Sequence, residues 1–234
     1  MNCFQFEVRG RWAHFKRPET SNNPQTHDMI TKTALIGMIG AVLGIERTEM
    51  RELYPVLSED LLYNIQLLSP VIKVPIGLTS WRAIKFAYSP KNFEMLKAPA
   101  YLVTLALYDI RSGQIYDAFK NSIKNSETVY PPVLGWHNCP AELVYKSEGL
   151  LSDIEYEGEF TTSGFVPASE YIPELDSGIR IGLDRLPTHQ NNDFWNNPEQ
   201  YKEIVYPEYA HELKGRGHFR IYSSGTNQEC LCLI

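Results

Sequence analysis

The order of strand and helix patterns in the first 134 residues leaves few folds open to this chain. Period-two alternation of apolar and polar residues predicts strands, and apolar residues recurring every three to four positions predict helices. The patterns follow one another as strand, helix, strand, arm, strand, helix and strand. They occupy residues 3–9, 29–44, 63–73, 78–97, 101–107, 114–123 and 129–134. The order predicts an α+β fold.

The first strand and the first helix are the clearest of these elements. Phe4, Phe6 and Val8 take packed positions in the strand, which Gly10 ends. We expect Thr26 or Asp28 to cap the helix. Its three glycines share one face, where the missing side chains let the backbone approach a sheet or a ligand, and close packing on a sheet is the simpler reading. They are Gly37, Gly40 and Gly44.

The arm consists of a strand at residues 78–88 and a shorter return strand at 93–97, joined by a turn at 89–92. Neither of its faces is cleanly apolar, which is unusual for a core strand. We therefore predict a ferredoxin-like (RRM-like) β-α-β-β-α-β domain over residues 1–141, with an inserted hairpin at about residues 76–98. Residues 142–234 contain only short extended runs and loops, so we expect a mostly β, irregular extension.

Charge is distributed unevenly along the chain. The 22 basic and 28 acidic residues give a net charge of −6, but residues 1–124 carry 15 and 11 and residues 125–234 carry 7 and 17. Between residues 61 and 100, five lysines and arginines with one acid are interleaved with aromatic residues, a pattern typical of single-stranded nucleic-acid binding. A solvated strand pair whose lysines only prevent aggregation explains the same pattern equally well.

Several other classes find no support in the sequence. The four cysteines lack zinc-ligand spacing, and no cofactor motif, P-loop, dinucleotide fingerprint or nucleophile elbow is present. The longest apolar stretch, residues 34–45, is too short to span a bilayer, and no signal peptide or lipid-attachment signal is recognisable. We expect a cytoplasmic protein without a cofactor, a metal or a membrane partner.

Two segments resemble the fifth CRISPR-associated protein family. One is F-E-V-R-G-R-W-A-H-F-K at residues 6–16, followed by P-Q-T at 24–26 and the glycine-spaced helix; the other is P-P-V-L-G at residues 131–135. They are similar to the family's G-x-W/F-A-x-F turn, its G-x-x-G-x-x-x-G helix and its P-P-x-L-G element, in the same order. The resemblance covers about the first 141 residues and is loose beyond them.

The resemblance implies a non-catalytic subunit of a type I CRISPR surveillance (Cascade) complex in prokaryotic antiviral defence, closest to subtype I-B. Such a subunit holds the 5′ handle of the guide RNA and caps the backbone filament. The implied partners are this RNA, the backbone (seventh-family) and large (eighth-family) subunits and, through the complex, target DNA. In family members the inserted arm is a thumb that reaches over the guide.

Binding an RNA handle requires cations for phosphates and surfaces that order bases. For Trp12, ordinary core packing is the simpler role. Lys32 could be merely exposed in the first helical turn, or its position near a helix N-terminus could suit a phosphate. The candidate RNA-binding residues are Arg9, Arg11, Trp12, His14, Lys16, Arg17, Lys32, Gly37, Gly40, Lys73, Trp81, Arg82 and Lys85.

A metal-independent endoribonuclease that processes CRISPR precursor RNA is the alternative function. His14, His27 and Lys32 have the residue types that such a reaction needs. However, no histidine of this chain follows a lysine, whereas the processing subtype of the family carries an adjacent Lys-His pair. We therefore expect both histidines to contact RNA or solvent. A ferredoxin-like protein unrelated to CRISPR is a third possibility.

Overall fold

The computed structural model describes residues 1–20, 23–82, 87–174, 180–189 and 200–234, and the side chains of residues 80–89 lie outside this description. The described residues form a mixed fold with large antiparallel sheets and few helices. The helices are α1 (Lys32–Leu43), α2 (Arg47–Asp60) and α3 (Gly113–Asn125). The strands are β1 (Asn2–Gly10), β2 (Trp12–Ala13), β3 (Leu61–Leu67), β4 (Lys73–Arg82), β5 (Ala87–Lys97), β6 (Ala100–Leu107), β7 (Ala141–Leu151), β8 (Tyr156–Thr162), β9 (Val166–Pro167), β10 (Tyr171–Pro173), β11 (Ile181–His189), β12 (Gln200–Pro207), β13 (Leu213–Ser224) and β14 (Asn227–Leu231).

The central sheet contains β7, β1, β6 and β3 in that spatial order, all antiparallel. β13 continues the sheet beyond β7. Phe4 and Phe6 of β1 point to one side, where their rings pack against Tyr116 and Phe119 of α3. Both phenylalanines and Val8 are fully buried, which confirms the predicted packing of the first strand. Burial of these large side chains makes this side of the sheet the main core.

Helix α1 begins later than the sequence predicts. Thr31 is the capping residue, since its hydroxyl accepts a hydrogen bond from the backbone N–H of Ala34 at 3.1 Å. Thr26 cannot cap the helix because its hydroxyl already accepts from Phe15 N–H and donates to the carbonyl of His27. The helix ends at Gly44, whose φ of 70° is the left-handed conformation that favours glycine.

The glycine face of α1 packs on a second helix, and the expectation that it packs on a sheet is wrong. A side chain at Gly37 would contact the hydroxyl of Tyr54, and one at Gly40 would overlap Met50. Both contacts lie on α2, which the sequence analysis did not predict. The helical spacing of Met50, Leu53, Tyr54 and Leu57 was the available signal, but Pro55 and the many charged residues obscured it.

The arm is a longer hairpin than predicted. β4 pairs with β5 from Lys73↔Leu96 to Arg82↔Ala87. The turn predicted at residues 89–92 is wrong, because Ser89 and Pro90 lie within β5 opposite Ser80 and Thr79. Residues 83–86, which connect the two strands, fall outside the described residues. The strand predicted at residues 63–73 is shorter than expected, because β3 begins at Leu61 and ends at Leu67.

The fourth strand of the central sheet is β7, and the strand predicted at residues 129–134 is wrong. In that segment Val129 and Tyr130 donate backbone hydrogen bonds to the last turn of α1, and Pro131 and Pro132 have no N–H to donate to a strand ladder. β7 pairs with β1 from Ala141 to Leu150. The expected boundary at residue 141 therefore falls at the first residue of a strand that belongs to the central sheet.

The residues after β7 are mostly β, as expected. β13 pairs with β8, β10 and β14, and β12 pairs with β11 and β9 in a separate sheet that packs on α1. Among the described residues, no helix has the length and apolar character needed to cross a membrane.

Candidate nucleic-acid interface

The base of the hairpin presents a face that combines cations with aromatic rings. β2 adds to the edge of β5, with Trp12 directly opposite Lys97. Because side chains alternate across a strand, Phe93 and Lys91 lie on the same face of β5 as Lys97. We call this face, together with Arg11, Lys16 and the loop that contains Trp136, the thumb-base surface.

Four cations of the thumb-base surface have no acidic partner among the described residues: Arg11, Lys16, Lys91 and Lys97. Arg11, Lys16 and Lys97 are exposed and Lys91 is half-buried. The backbone fixes their positions, since the carbonyl of Arg11 accepts from Ala98 N–H at 2.9 Å and Lys16 forms a bridge with Thr26. Their charges are therefore available to an anion from solution.

An aromatic cluster covers the middle of this surface. The rings of Phe93 and Trp136 stack at 5.0 Å and 12°, with His14 against both rings. The Trp136 loop is held on β2, because His14 N–H donates to the carbonyl of Leu134 at 3.1 Å. Gly135 has a φ of 78°, and a Cβ there would lie 2.2 Å from the carbonyl oxygen of His14. The close approach requires glycine.

Sequence reasoning missed Trp136, Lys91 and Lys97 as interface residues. Trp136 directly follows the P-P-V-L-G segment, which was the available signal. Lys91 and Lys97 were noted only as part of the basic stretch. Their common face depends on the true position of the hairpin turn, because a shift of the register by one residue moves every side chain to the other face.

Three of the predicted RNA-binding cations are engaged with carboxylates, so an RNA phosphate would have to compete with partners inside the protein. Arg9 is ion-paired with Glu7, whose second partner is Lys146 at 2.8 Å. Arg17 donates to Asp184 at 2.8 Å and to the carbonyl of Thr26. Lys73 lies 2.6 Å from an oxygen of Asp28 and 3.3 Å from one of Glu94. Their charges are compensated within the protein.

Lys32 is buried, so the exposed position considered for it is wrong. Its side chain is 5% exposed at the start of α1 and has no hydrogen-bond or ion-pair partner among the described residues. Burial lowers the pKa of Lys32 to about 8. Gly40 is buried against Met50 of α2, whereas Gly37 is exposed beside the Tyr54 hydroxyl. Of these two predicted glycines, only Gly37 leaves the α1 backbone accessible from solution.

The two histidines considered for chemistry are also buried, which contradicts the expected contact with RNA or solvent. His14 is 5% exposed, its Nδ1 lies 2.8 Å from the carbonyl oxygen of Glu94, and burial lowers its pKa. His27 is 1% exposed, and its Nδ1 lies 3.0 Å from Asp184 Oδ1. Together with buried Lys32, they present no accessible acid and base.

Trp12 and the tip of the hairpin complete the set of predicted residues. Trp12 is half-buried and packs against the core, so part of its ring surface remains open. Trp81 and Arg82 lie in β4, opposite Tyr88 and Ala87, but their side chains are not described. Lys85 lies outside the described residues.

The opposite side of the central sheet offers a less suitable surface for RNA. A cleft of about 480 Å³ separates it from the β8–β13–β14 strands. Its lining consists mainly of amides and hydroxyls, such as Asn64, Gln66 and Thr104, with Glu212, Glu229 and a single cation, Lys214. Such a lining lacks both the phosphate-binding charge and the stacking rings of RRM-type sheets. The described residues also contain no cluster of His, Cys, Asp or Glu that could hold a metal ion.

Comparisons with known proteins agree with one another. Residues 3–189 match the family model described as CRISPR-associated protein (Cas_Cas5). The fold is similar to that of a CRISPR protein from Archaeoglobus fulgidus, with a TM-score of 0.58 and 14% identity over 98% of this chain and 99% of the other. It is also similar to a chain of a CRISPR RNA-guided surveillance complex, with a TM-score of 0.56 and 13% identity over 96% and 92%. No curated protein matches the chain.

Proposed function

Because the chain belongs to the CRISPR-associated protein (Cas_Cas5) family, we propose that it is a non-catalytic, RNA-binding subunit of a type I CRISPR surveillance complex. In this role it binds the 5′ handle of the guide RNA and caps the backbone filament, in support of target DNA recognition. The thumb-base surface is the observation that carries the proposal.

The thumb-base surface has the two properties that single-stranded RNA requires. Arg11, Lys16 and Lys97 are exposed and unpaired within the described chain, so each can neutralise a phosphate without first breaking an ion pair. Trp12 and the Phe93–Trp136 pair provide aromatic surface beside them. Phosphate contacts supply affinity independent of sequence, and stacking orders splayed bases.

The proposed RNA-binding domain has a ferredoxin-like arrangement. Strand order supports this assignment, because β1 and β3 run in the same direction on either side of β6, with α1 and α2 between them in sequence. β6 and β7 likewise flank β1 and are connected through α3. Two interleaved β-α-β units of this kind form the β-α-β-β-α-β motif. The β4–β5 hairpin is inserted in the chain between β3 and β6, the second and third strands of the motif, and corresponds to the proposed thumb.

The proposed partners are the guide RNA, the backbone (seventh-family) and large (eighth-family) subunits and, through the complex, target DNA. The uneven charge of the chain supports RNA binding by the first half and protein contacts by the second. Residues 125–234 carry a net charge of −10, which suits protein partners better than RNA phosphates. Subtype I-B and a cytoplasmic location remain part of the proposal.

The salt dependence of RNA binding tests the proposed surface. Single Arg11→Ala, Lys16→Ala and Lys97→Ala substitutions should weaken binding of the handle RNA and reduce the slope of log affinity against log salt by roughly 0.7 each. Arg82→Ala and Lys85→Ala test the tip of the thumb in the same way. Arg216→Ala is the control, since Arg216 is exposed on β13, far along the chain from the thumb-base residues and beside Glu157 of β8. Wild-type protein that does not bind the handle RNA, or equal slopes for all variants, would overturn the proposal.

Incubation of the purified chain with repeat RNA tests the nuclease alternative. We expect no cleavage by the wild-type chain, with or without metal. Metal-independent cleavage that is lost in His14→Ala or His27→Ala protein would replace the binding role by RNA processing, because a general acid or base contributes roughly a hundredfold or more to the rate.

A further inference from the structure

We propose that Asp184, on β11, is a positioning residue for the thumb-base surface, holding residues 17–20 and 23–28 of the loop before α1 in the conformation that binds RNA. The RNA part of this inference rests on the proposed function. Its structural part, in which a carboxylate on β11 holds the loop, does not depend on RNA binding. No feature of the sequence pairs these two regions, which are more than 150 residues apart.

Asp184 is the common acceptor of three groups in this loop. Its carboxylate accepts from Arg17 Nη2 at 2.8 Å, from His27 Nδ1 at 3.0 Å and from the backbone N–H of Asp28 at 2.9 Å. The side chain of Asp184 is fully buried. Burial alone would raise the pKa of Asp184, but these donors hold it below its usual value. The carboxylate therefore binds both ends of the loop at once.

Asp28, at the end of the loop, connects it to three other elements. Lys73 of β4 lies 2.6 Å from its carboxylate, and the Tyr206 hydroxyl of β12 donates to the other carboxylate oxygen. The Tyr101 hydroxyl of β6 donates to its backbone carbonyl at 3.2 Å. The hairpin, the central sheet and the β11–β12 pair therefore meet at one loop residue.

The middle of the loop is attached to the strands that carry the thumb-base surface. The backbone N–H of Thr26 donates to Glu94 Oε1 at 3.2 Å, and Glu94 N–H donates to the carbonyl of Pro24 at 3.0 Å. Lys16 is bridged to Thr26. A displacement of this loop would therefore move Lys16 relative to Lys97, and two cations that no longer match the phosphate spacing bind RNA less tightly.

Removal of the Asp184 carboxylate should release the loop without removing any thumb-base cation. Arg17 would lose the partner of its charge and His27 would lose its buried hydrogen-bond acceptor, so both side chains should turn toward water and take the loop with them. Aromatic stacking between Phe93 and Trp136 involves neither residue. The effect of Asp184 on RNA affinity is thus indirect, through position.

The test compares Asp184→Asn and Asp184→Ala with Leu186→Ala, which deletes a fully buried side chain on the same strand and removes none of the hydrogen bonds of the network. Hydrogen exchange and affinity for the handle RNA are measured at a temperature where every variant is folded. We expect at least tenfold faster exchange of the Thr26 and Asp28 amides and about tenfold weaker RNA binding in the Asp184 variants only. Asp184→Glu should restore part of both.

Three results would overturn the inference. They are unchanged exchange in the Asp184 variants, equal losses in Leu186→Ala protein of matched stability, or faster exchange with unchanged RNA affinity. If Asp184→Ala does not fold, Arg17→Met removes the other charge of the pair and gives the same comparison. If wild-type protein does not bind the handle RNA, the proposed function fails, and the exchange data alone decide whether Asp184 holds the loop.

Discussion

The Phe93 ring stacks on that of Trp136 and joins the base of the hairpin to the loop that precedes β7. These two residues are 43 positions apart, and His14 of the β2 segment contacts both rings. Three separate pieces of the chain therefore converge on one aromatic cluster. We expect this aromatic cluster to stabilise the contact between the hairpin base and the Trp136 loop, and to provide the surface on which an RNA base could stack.

Trp136→Ala should lower stability and RNA affinity together, whereas Trp136→Phe should retain most of both. In a double-mutant cycle with Phe93→Ala, followed by denaturant unfolding, the coupling energy should be about 0.5–1.5 kcal/mol, the range for aromatic pairs. Tyr156→Ala, in an aromatic contact with Phe219, is the control. Additive losses at Phe93 and Trp136 would show that the stack contributes no specific energy.

Lys32→Met should stabilise the free protein at pH 7. The folded pKa of about 8 lies below the ordinary lysine value of about 10.5, so burial of the charged amine costs on the order of 3 kcal/mol at pH values below 8. Unfolded chains bind the proton more tightly, so wild-type stability rises between pH 8 and 10.5 and the advantage of Lys32→Met should disappear there. Denaturant midpoints measured from pH 7 to 10.5 check this, and a constant difference would contradict it.

Gly44→Ala should be more destabilising than Gly40→Ala. At Gly44 the φ of 70° costs an L-residue roughly 1–2 kcal/mol, and a Cβ there would lie 2.5 Å from Val129. At Gly40 the obstacle is the flexible Met50 side chain, and alanine gains helix propensity of about 0.5–1 kcal/mol. Thermal unfolding of both variants decides the order. Equal losses would mean that Met50 cannot move aside.

Reversal of Glu155, Glu157 and Glu159 to lysine should leave RNA affinity nearly unchanged. All three are exposed in or beside β8. Among the described residues, Glu157 is the one of the three that forms ion pairs, with Arg216 at 3.9 Å and His218 at 3.8 Å, and Glu159 lies opposite Arg216 in the strand register. Surface pairs of this kind contribute about 0–1 kcal/mol to stability. A filter-binding assay with the handle RNA is sufficient, and a marked change in affinity would place this strand beside the RNA.

Local patterns in the sequence determined the elements whose stability is local. The alternation of residues 3–9 predicted β1, and the apolar repeats predicted most of α1 and α3. The motifs around residues 6–16 and 131–135 also identified the family before any geometry was available. Arg11, Lys16 and Trp12 could be named as candidate interface residues because they follow directly after a strand that the sequence defines.

Tertiary structure alone decided which charges are free and which side chains are covered. Arg17, Lys73 and His27 look in the sequence like solvent-facing groups, but Asp184, Asp28 and Glu94 reach them from distant segments. The packing of α2 on the α1 glycines and the hairpin register were hidden for the same reason. Contacts between separate elements leave no periodic trace in a single sequence, whatever their separation along the chain, so the cations that stay unpaired are known only after the chain has folded.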